Sequence, residues 1–164
     1  VNGPIKKILV YIDGSEASIS AAMYAVAMVK TSGASLTALY VVNTRALNDL
    51  VKARIFLQTE EDEYHHDLEK DAERYLNHVK RLGIEKNIEI ETLSLSGTVH
   101  REIKDEIKRG DYDLLVIGGI SQIRSRRDEF FNETDRALRS VNCPVLVVKD
   151  DDKVWEIFES LGRD

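Results

Sequence analysis

The stretch YDLLVIGGISQIRSRRDEFFNETDRALRSVNCPVLVV, residues 112–148, decides the fold. It holds two short apolar runs. Residues 114–117 are unbroken Leu-Leu-Val-Ile ending at Gly118 and Gly119, and residues 145–148 are a second run behind Pro144. Runs this short and rich in β-branched residues read as strands covered on both faces, which is the signature of a parallel sheet. Between them Asn132, Glu133 and Asp135 open a helix, with Asn132 as N-cap and Asp135 as its capping-box partner. The unit is strand, loop, helix, strand. Ligands of open parallel sheets lie beyond the carboxyl ends of the strands where strand order reverses, so the loop over residues 118–131 is the first place to look for a site.

Working outward, residues 6–12 (KKILVYI) predict the first strand, ending at Asp13-Gly14-Ser15. Ser15 caps a helix whose Ile19, Ala22, Met23, Val26 and Val29 recur at helical spacing, and Gly33 is placed to end it in a left-handed conformation. Residues 36–42 (LTALYVV) form the second strand, completing a βαβ crossover. Residues 43–58 read as a short amphipathic insertion above the sheet, with Arg45, Lys52 and Arg54 as a solvated basic side. A long helix over residues 60–83 carries one apolar stripe of Tyr64, Leu68, Ala72, Tyr75, Leu76, Val79 and Leu82, closed by Gly83. Residues 88–95 alternate strictly enough for an edge strand, and residues 98–109 form a helix stopped by Gly110. The order βαβαβαβαβ gives a doubly wound, Rossmann-like α/β fold with helices on both faces of the sheet.

A compact domain ends near Lys149, and residues 150–164 add an amphipathic helix. Its Val154, Ile157, Phe158 and Leu161 share one face, and the acidic triplet at 150–152 suits its N-terminus. That face must be buried, either on its own subunit or on a second one.

Totals narrow the function. The 164 residues, 43% hydrophobic, suffice for one domain with a full core. A net charge of -6 argues against nucleic acid or an anionic membrane as the main partner. No apolar run approaches the roughly 20 residues of a membrane span, so the expectation is a soluble, cytoplasmic chain. Cys143 is the only cysteine, which excludes an intrachain disulfide and a CxxC metal site. His65 and His66 lie amid acids on one helix but about 100° apart around it, which reads as ordinary surface and not as a metal pair. His100 has no catalytic partner in view, and no Ser/His/Asp set or HExxH is present, so no catalytic or metal residues are assigned.

Four segments together resemble the universal stress protein family over residues 6–149: the opening ILVYIDGSEAS, the strand LYVV, the strand YDLLVIGG and the closing CPVLVV. The resemblance implies a five-stranded parallel sheet of order 3-2-1-4-5 over residues 1–149, a homodimer through the last strand, and unidentified protein partners. Many members bind ATP, with magnesium, through a loop of pattern G-x2-G-x9-G-[ST] after the fourth strand. Here the spacing from Gly118 is intact, but Ser121, Phe131 and Asn132 stand at the later motif positions. A phosphate can lie against backbone N–H groups only where no side chain intervenes, and Phe131 would shield that pocket. The implied nucleotide residues are Asp13, Val41, Gly118, Ser121 and Asn132, while Arg124, Arg126 and Arg127 could supply phosphate contacts through side chains. The expected function is therefore a non-catalytic stress-response regulator with a degenerate nucleotide loop. The alternative is an ATP or adenine-nucleotide sensor, or a slow ATPase, using the same crevice.

Overall fold

The structure is a computed structural model and describes residues 3–53, 58–119 and 133–162. Five strands form one parallel sheet of order β3-β2-β1-β4-β5. They are β1 (Lys7–Ile12), β2 (Ser35–Asn43), β3 (Ile90–Gly97), β4 (Leu114–Gly118) and β5 (Val145–Val148). In register, Val10 of β1 lies between Ala38 of β2 and Val116 of β4. The order expected from the resemblance is the order found, and β3 is an edge as its alternating pattern implied.

Each face of the sheet has its own core. On one, Ile8, Val10, Ile12, Leu36, Ala38, Leu114 and Val116 pack under α1 (Glu16–Ser32) and the long α3 (Gln58–Glu85). On the other, Leu9, Tyr11, Leu39, Val41, Leu115 and Ile117 pack under α4 (Val99–Gly110) and α5 (Glu133–Ser140). Residues one apart along a strand point to opposite faces, which is why β1 and β4 read as continuous apolar runs. Among the described residues, the insertion after β2 carries the helix α2 (Thr44–Lys52).

The helix ends partly differ from the expectation. Ser15 caps α1 by accepting from the Ser18 N–H, and Gly33 ends it with φ 73°. Gly83, however, does not close α3. The helix runs on to Glu85, and the chain turns when the N–H groups of Lys86 and Ile88 both donate to the Gly83 carbonyl. Gly83 is glycine because a Cβ there would meet the Ile88 oxygen and Ile90 at 2.7 Å. β3 accordingly begins at Ile90, two residues later than the pattern suggested. Likewise Gly110 is the last residue of α4, its missing side chain leaving room for the Tyr112 ring, and Asp111 takes the left-handed turn with φ 53°.

The terminal helix α6 (Asp151–Ser160) packs on its own chain, beside α1. Asp150 caps it, accepting from the Lys153 N–H, and Val154 and Phe158 are 2% and 1% exposed in the α1-side core. Lys86 ties it down from the α3–β3 turn. Its Nζ donates to the Leu161 carbonyl at 3.1 Å and lies 4.9 Å from the Phe158 ring centre, while Lys30 of α1 donates to the Lys86 carbonyl. Trp155 faces outward, 56% exposed.

Candidate functional site

β1 lies between β2 and β4, so the strand order reverses between β1 and β4 and their carboxyl ends open a crevice there. On the β1 side the chain leaves the sheet through Asp13-Gly14-Ser15. One Asp13 carboxylate oxygen accepts from the Ser15 N–H at 2.9 Å and from the Ser15 hydroxyl. The Ser15 oxygen in turn accepts from the Ser18 N–H at 3.1 Å. Asp13 therefore holds the strand-to-helix turn, and two amides at the start of α1 are already bonded within the chain. Gly14 has φ 87°, and a Cβ on it would strike the Tyr75 ring at 2.6 Å, so both its backbone and its neighbour require glycine.

On the β4 side, a Cβ on Gly118 would lie 2.6 Å from the carbonyl carbon and oxygen of Ala17. The absence of a side chain there lets β4 approach the first turn of α1, a packing role that holds without any ligand. Between these walls Tyr11, Asp13, Ser15, Ala17, Ser18, Gly118 and Gly119 leave a niche of only about 20 Å³. Ser121, Arg124, Arg126, Arg127, Phe131 and Asn132 all lie outside the described residues.

A larger cavity of about 290 Å³ adjoins Asp13, over the end of β2. Val41, Val42 and Asn43 form its floor with Tyr40 just before them on β2, Tyr11 stands beside them on the neighbouring β1, and Val99 closes one side from the start of α4. Leu47 of α2 and Tyr64 and Leu68 of α3 overhang it. The two halves of α3 thus differ. Ala72, Leu76, Val79 and Leu82 are buried on the sheet, whereas Tyr64 is 43% exposed beyond it. Beside the mouth, Tyr40 and Tyr75 stack with ring centres 6.1 Å apart and planes 12° from parallel, and Arg74 covers Tyr75 at 5.0 Å while pairing with Asp71. Burial, then the nearby Asp71, Tyr75 and Asp13, push the Tyr40 phenol above its ordinary value, so it stays a neutral hydroxyl.

Of the residues expected at the site, Asp13, Val41 and Gly118 come together at the strand ends. Val41 is 5% exposed and contributes to the core as well as to the cavity floor. The sequence reading missed the tyrosines. Tyr11 and Tyr40 sit near the carboxyl ends of strands, a position that could have marked them; Tyr64 matches the helical stripe, a pattern that points to the core.

Elsewhere, His65 pairs with Glu69 at 3.6 Å and not with His66, and no group of three or more His, Cys, Asp or Glu among the described residues is placed to hold a metal. Cys143 is half-buried, and burial raises its thiol pKa, which disfavours the reactive thiolate. No helix among the described residues is long and apolar enough to cross a membrane. Chemically, the crevice offers flat aromatic walls, an apolar floor, an amide and one carboxylate: the means to hold a planar ring bearing hydroxyl groups.

Comparison with known proteins agrees with this geometry. The sequence profile described as "Universal stress protein family" matches residues 4–149. Universal stress protein YxiE of Bacillus subtilis is 30% identical over 151 residues, covering 87% of this chain and 98% of the relative. Universal stress protein MJ0531 of Methanocaldococcus jannaschii is 29% identical over 144 residues, 88% and 82% of the two chains. Among solved structures, universal stress protein UspA from Lactobacillus plantarum superposes with a TM-score of 0.71 at 24% identity, covering 90% of this chain and all of the other. A family protein from Arabidopsis thaliana with AMP bound gives 0.63 at 17% identity over 90% and 94% of the two chains. A universal stress protein in complex with cAMP gives 0.56 at 18% over 89% and 98%.

Proposed function

The chain belongs to the universal stress protein family, and from that premise we propose that it is a non-catalytic regulatory protein whose strand-end crevice takes an adenine nucleotide or nucleoside. The observation that carries this reading is the cavity bounded by Tyr11, Asp13, Tyr40, Val41, Asn43 and Tyr64, with the size and flat walls that a purine and its ribose require. Structures of the same fold hold AMP and cAMP, which supports the ligand class. In this reading Asp13 accepts from ribose hydroxyls, and the backbone at Val41 and Asn43 meets the base edge.

Regulation would pass to protein partners through a homodimer. β5 is the outer strand on its side of the sheet, and its Val145, Leu146 and Val147 are only half-buried, as a strand awaiting a second copy would be. The test of ligand binding is direct. Purified protein is denatured and any released nucleotide identified by chromatography, then AMP and ATP with magnesium are titrated calorimetrically into the emptied protein. Saturable one-to-one heat supports the reading; absence of both released nucleotide and heat overturns it.

A further inference from the structure

The fold accounts for one face of α6 and not for the other. Val154 and Phe158 dock the helix on α1, while Asp152, Trp155, Glu156 and Glu159 recur at i, i+3, i+4 and i+7 on the opposite side, all exposed. These four fall within about 100° of the helix circumference. Asp151 is exposed as well, so carboxylates flank the indole at i−4, i−3, i+1 and i+4. Among the described residues, none of these carboxylates has an ion-pair partner.

Acids at 151 and 152 suit the start of a helix, where its dipole is positive. Glu156 and Glu159 do not. Glu159 stands in the last turn, which holds no basic residue, and there it opposes the dipole. Asp152 and Glu156 are a like-charge pair at i, i+4, and Glu156 and Glu159 another at i, i+3. The free helix is destabilised by this pattern, and a cation from outside relieves it. Trp155 adds an indole that is 56% exposed, the aromatic face that cations favour most. The helix follows residue 149, where the family match ends, so this face is an addition to the shared domain.

We infer that the outward face of α6 docks an arginine-bearing segment of a protein partner. One guanidinium stacks on Trp155, and neighbouring arginines meet Asp152, Glu156 and Glu159. Arginine fits better than lysine because its planar group both stacks on an aromatic ring and forks onto a carboxylate. The net charge of -6 favours such a partner at long range. Docking here does not involve the crevice, so the nucleotide reading stands or falls separately.

Trp155 is the only tryptophan in the chain, so its fluorescence reports on this face alone. The experiment titrates octa-arginine and octa-lysine into the full chain and reads that fluorescence, with the anisotropy of labelled octa-arginine used for variants. A saturable change is expected, tighter for octa-arginine than for octa-lysine, and weakened about tenfold between about 0.05 and 0.5 M salt. Trp155→Ala should weaken the labelled peptide about fivefold. Asp152→Asn, Glu156→Gln and Glu159→Gln together should weaken it about tenfold. The same charge change on exposed Glu63, Asp67 and Glu73 of α3 should leave binding within about twofold. No saturable change below about 1 mM peptide would overturn the docking surface. Equal weakening by the α6 and α3 triple variants, or octa-lysine binding as tightly as octa-arginine, would do so too. A fluorescence change on concentrating the chain without peptide would make a second copy the occupant instead.

Discussion

Replacing Phe158 by alanine tests whether the terminal helix belongs to this domain's core. The ring is 1% exposed, lies within the cluster that also holds Val26, Met23 and Val148, and has the Lys86 ammonium 4.9 Å from its centre. Truncating a buried phenylalanine costs about 3–5 kcal/mol through lost transfer free energy and the cavity left behind. The cation–π contact adds to that loss by less than about 1 kcal/mol, because Lys86 is half-exposed. With a urea dependence of about 2 kcal/mol per molar for a domain of this size, the unfolding midpoint should fall by about 2 M. The control is Trp155→Ala, three positions away on the same helix but 56% exposed, for which a change below about 1 kcal/mol is expected. Urea unfolding followed by circular dichroism gives both numbers. Equal, small effects of the two substitutions would refute the docking of α6 on α1; a large effect of Trp155→Ala alone would place the opposite face of the helix in the contact.

Further outcomes follow from other contacts. Lys86→Met should cost about 1–2 kcal/mol, losing the bond to the Leu161 carbonyl and the contact with Phe158, with hydrogen exchange in residues 151–160 quickened before global unfolding. Gly118→Val should destabilise by about 1–3 kcal/mol or more whether or not ligand is present, because the new atoms meet the Ala17 backbone; thermal melts with and without AMP should shift in parallel. Alkaline pH should destabilise the fold. Burial raises the phenol pKa values of Tyr112 and Tyr40 above the ordinary value near 10, so the unfolded chain loses these protons first. Stability is then full below about pH 10 and falls as pH rises towards the folded values, a decline in urea midpoint that Tyr112→Phe should flatten.

Much of the architecture was written locally. Ser15 and Gly33 mark the ends of α1 because a cap and a left-handed turn are decided within a few residues. The β1 and β4 runs announce a sheet covered on both sides because each residue meets a core. What failed was decided by packing outside the helix itself. Gly83 and Gly110 read as helix stops, yet each is glycine because a residue further along the chain, Ile90 or Tyr112, packs against it. The site divides the same way. Asp13 and Gly118 were visible as strand-end residues, but their roles in holding the turn and admitting Ala17 depend on bonds and contacts that spacing does not show. Tyr64 obeyed the helical stripe and still left the core, because α3 is longer than the sheet beneath it. The choice of α6 between its own subunit and another was likewise set by Phe158, Lys86 and Lys30, which are far apart in sequence.

Mapping AMP by amide chemical shifts in a labelled sample asks most directly whether the crevice is the site. Saturable shifts confined to Asp13, the end of β2 at residues 41–43, Tyr64 and Val99, and lost in Tyr64→Ala, are the predicted result. Absence of saturable shifts, or shifts centred on the β3 edge or α6 instead, would contradict it.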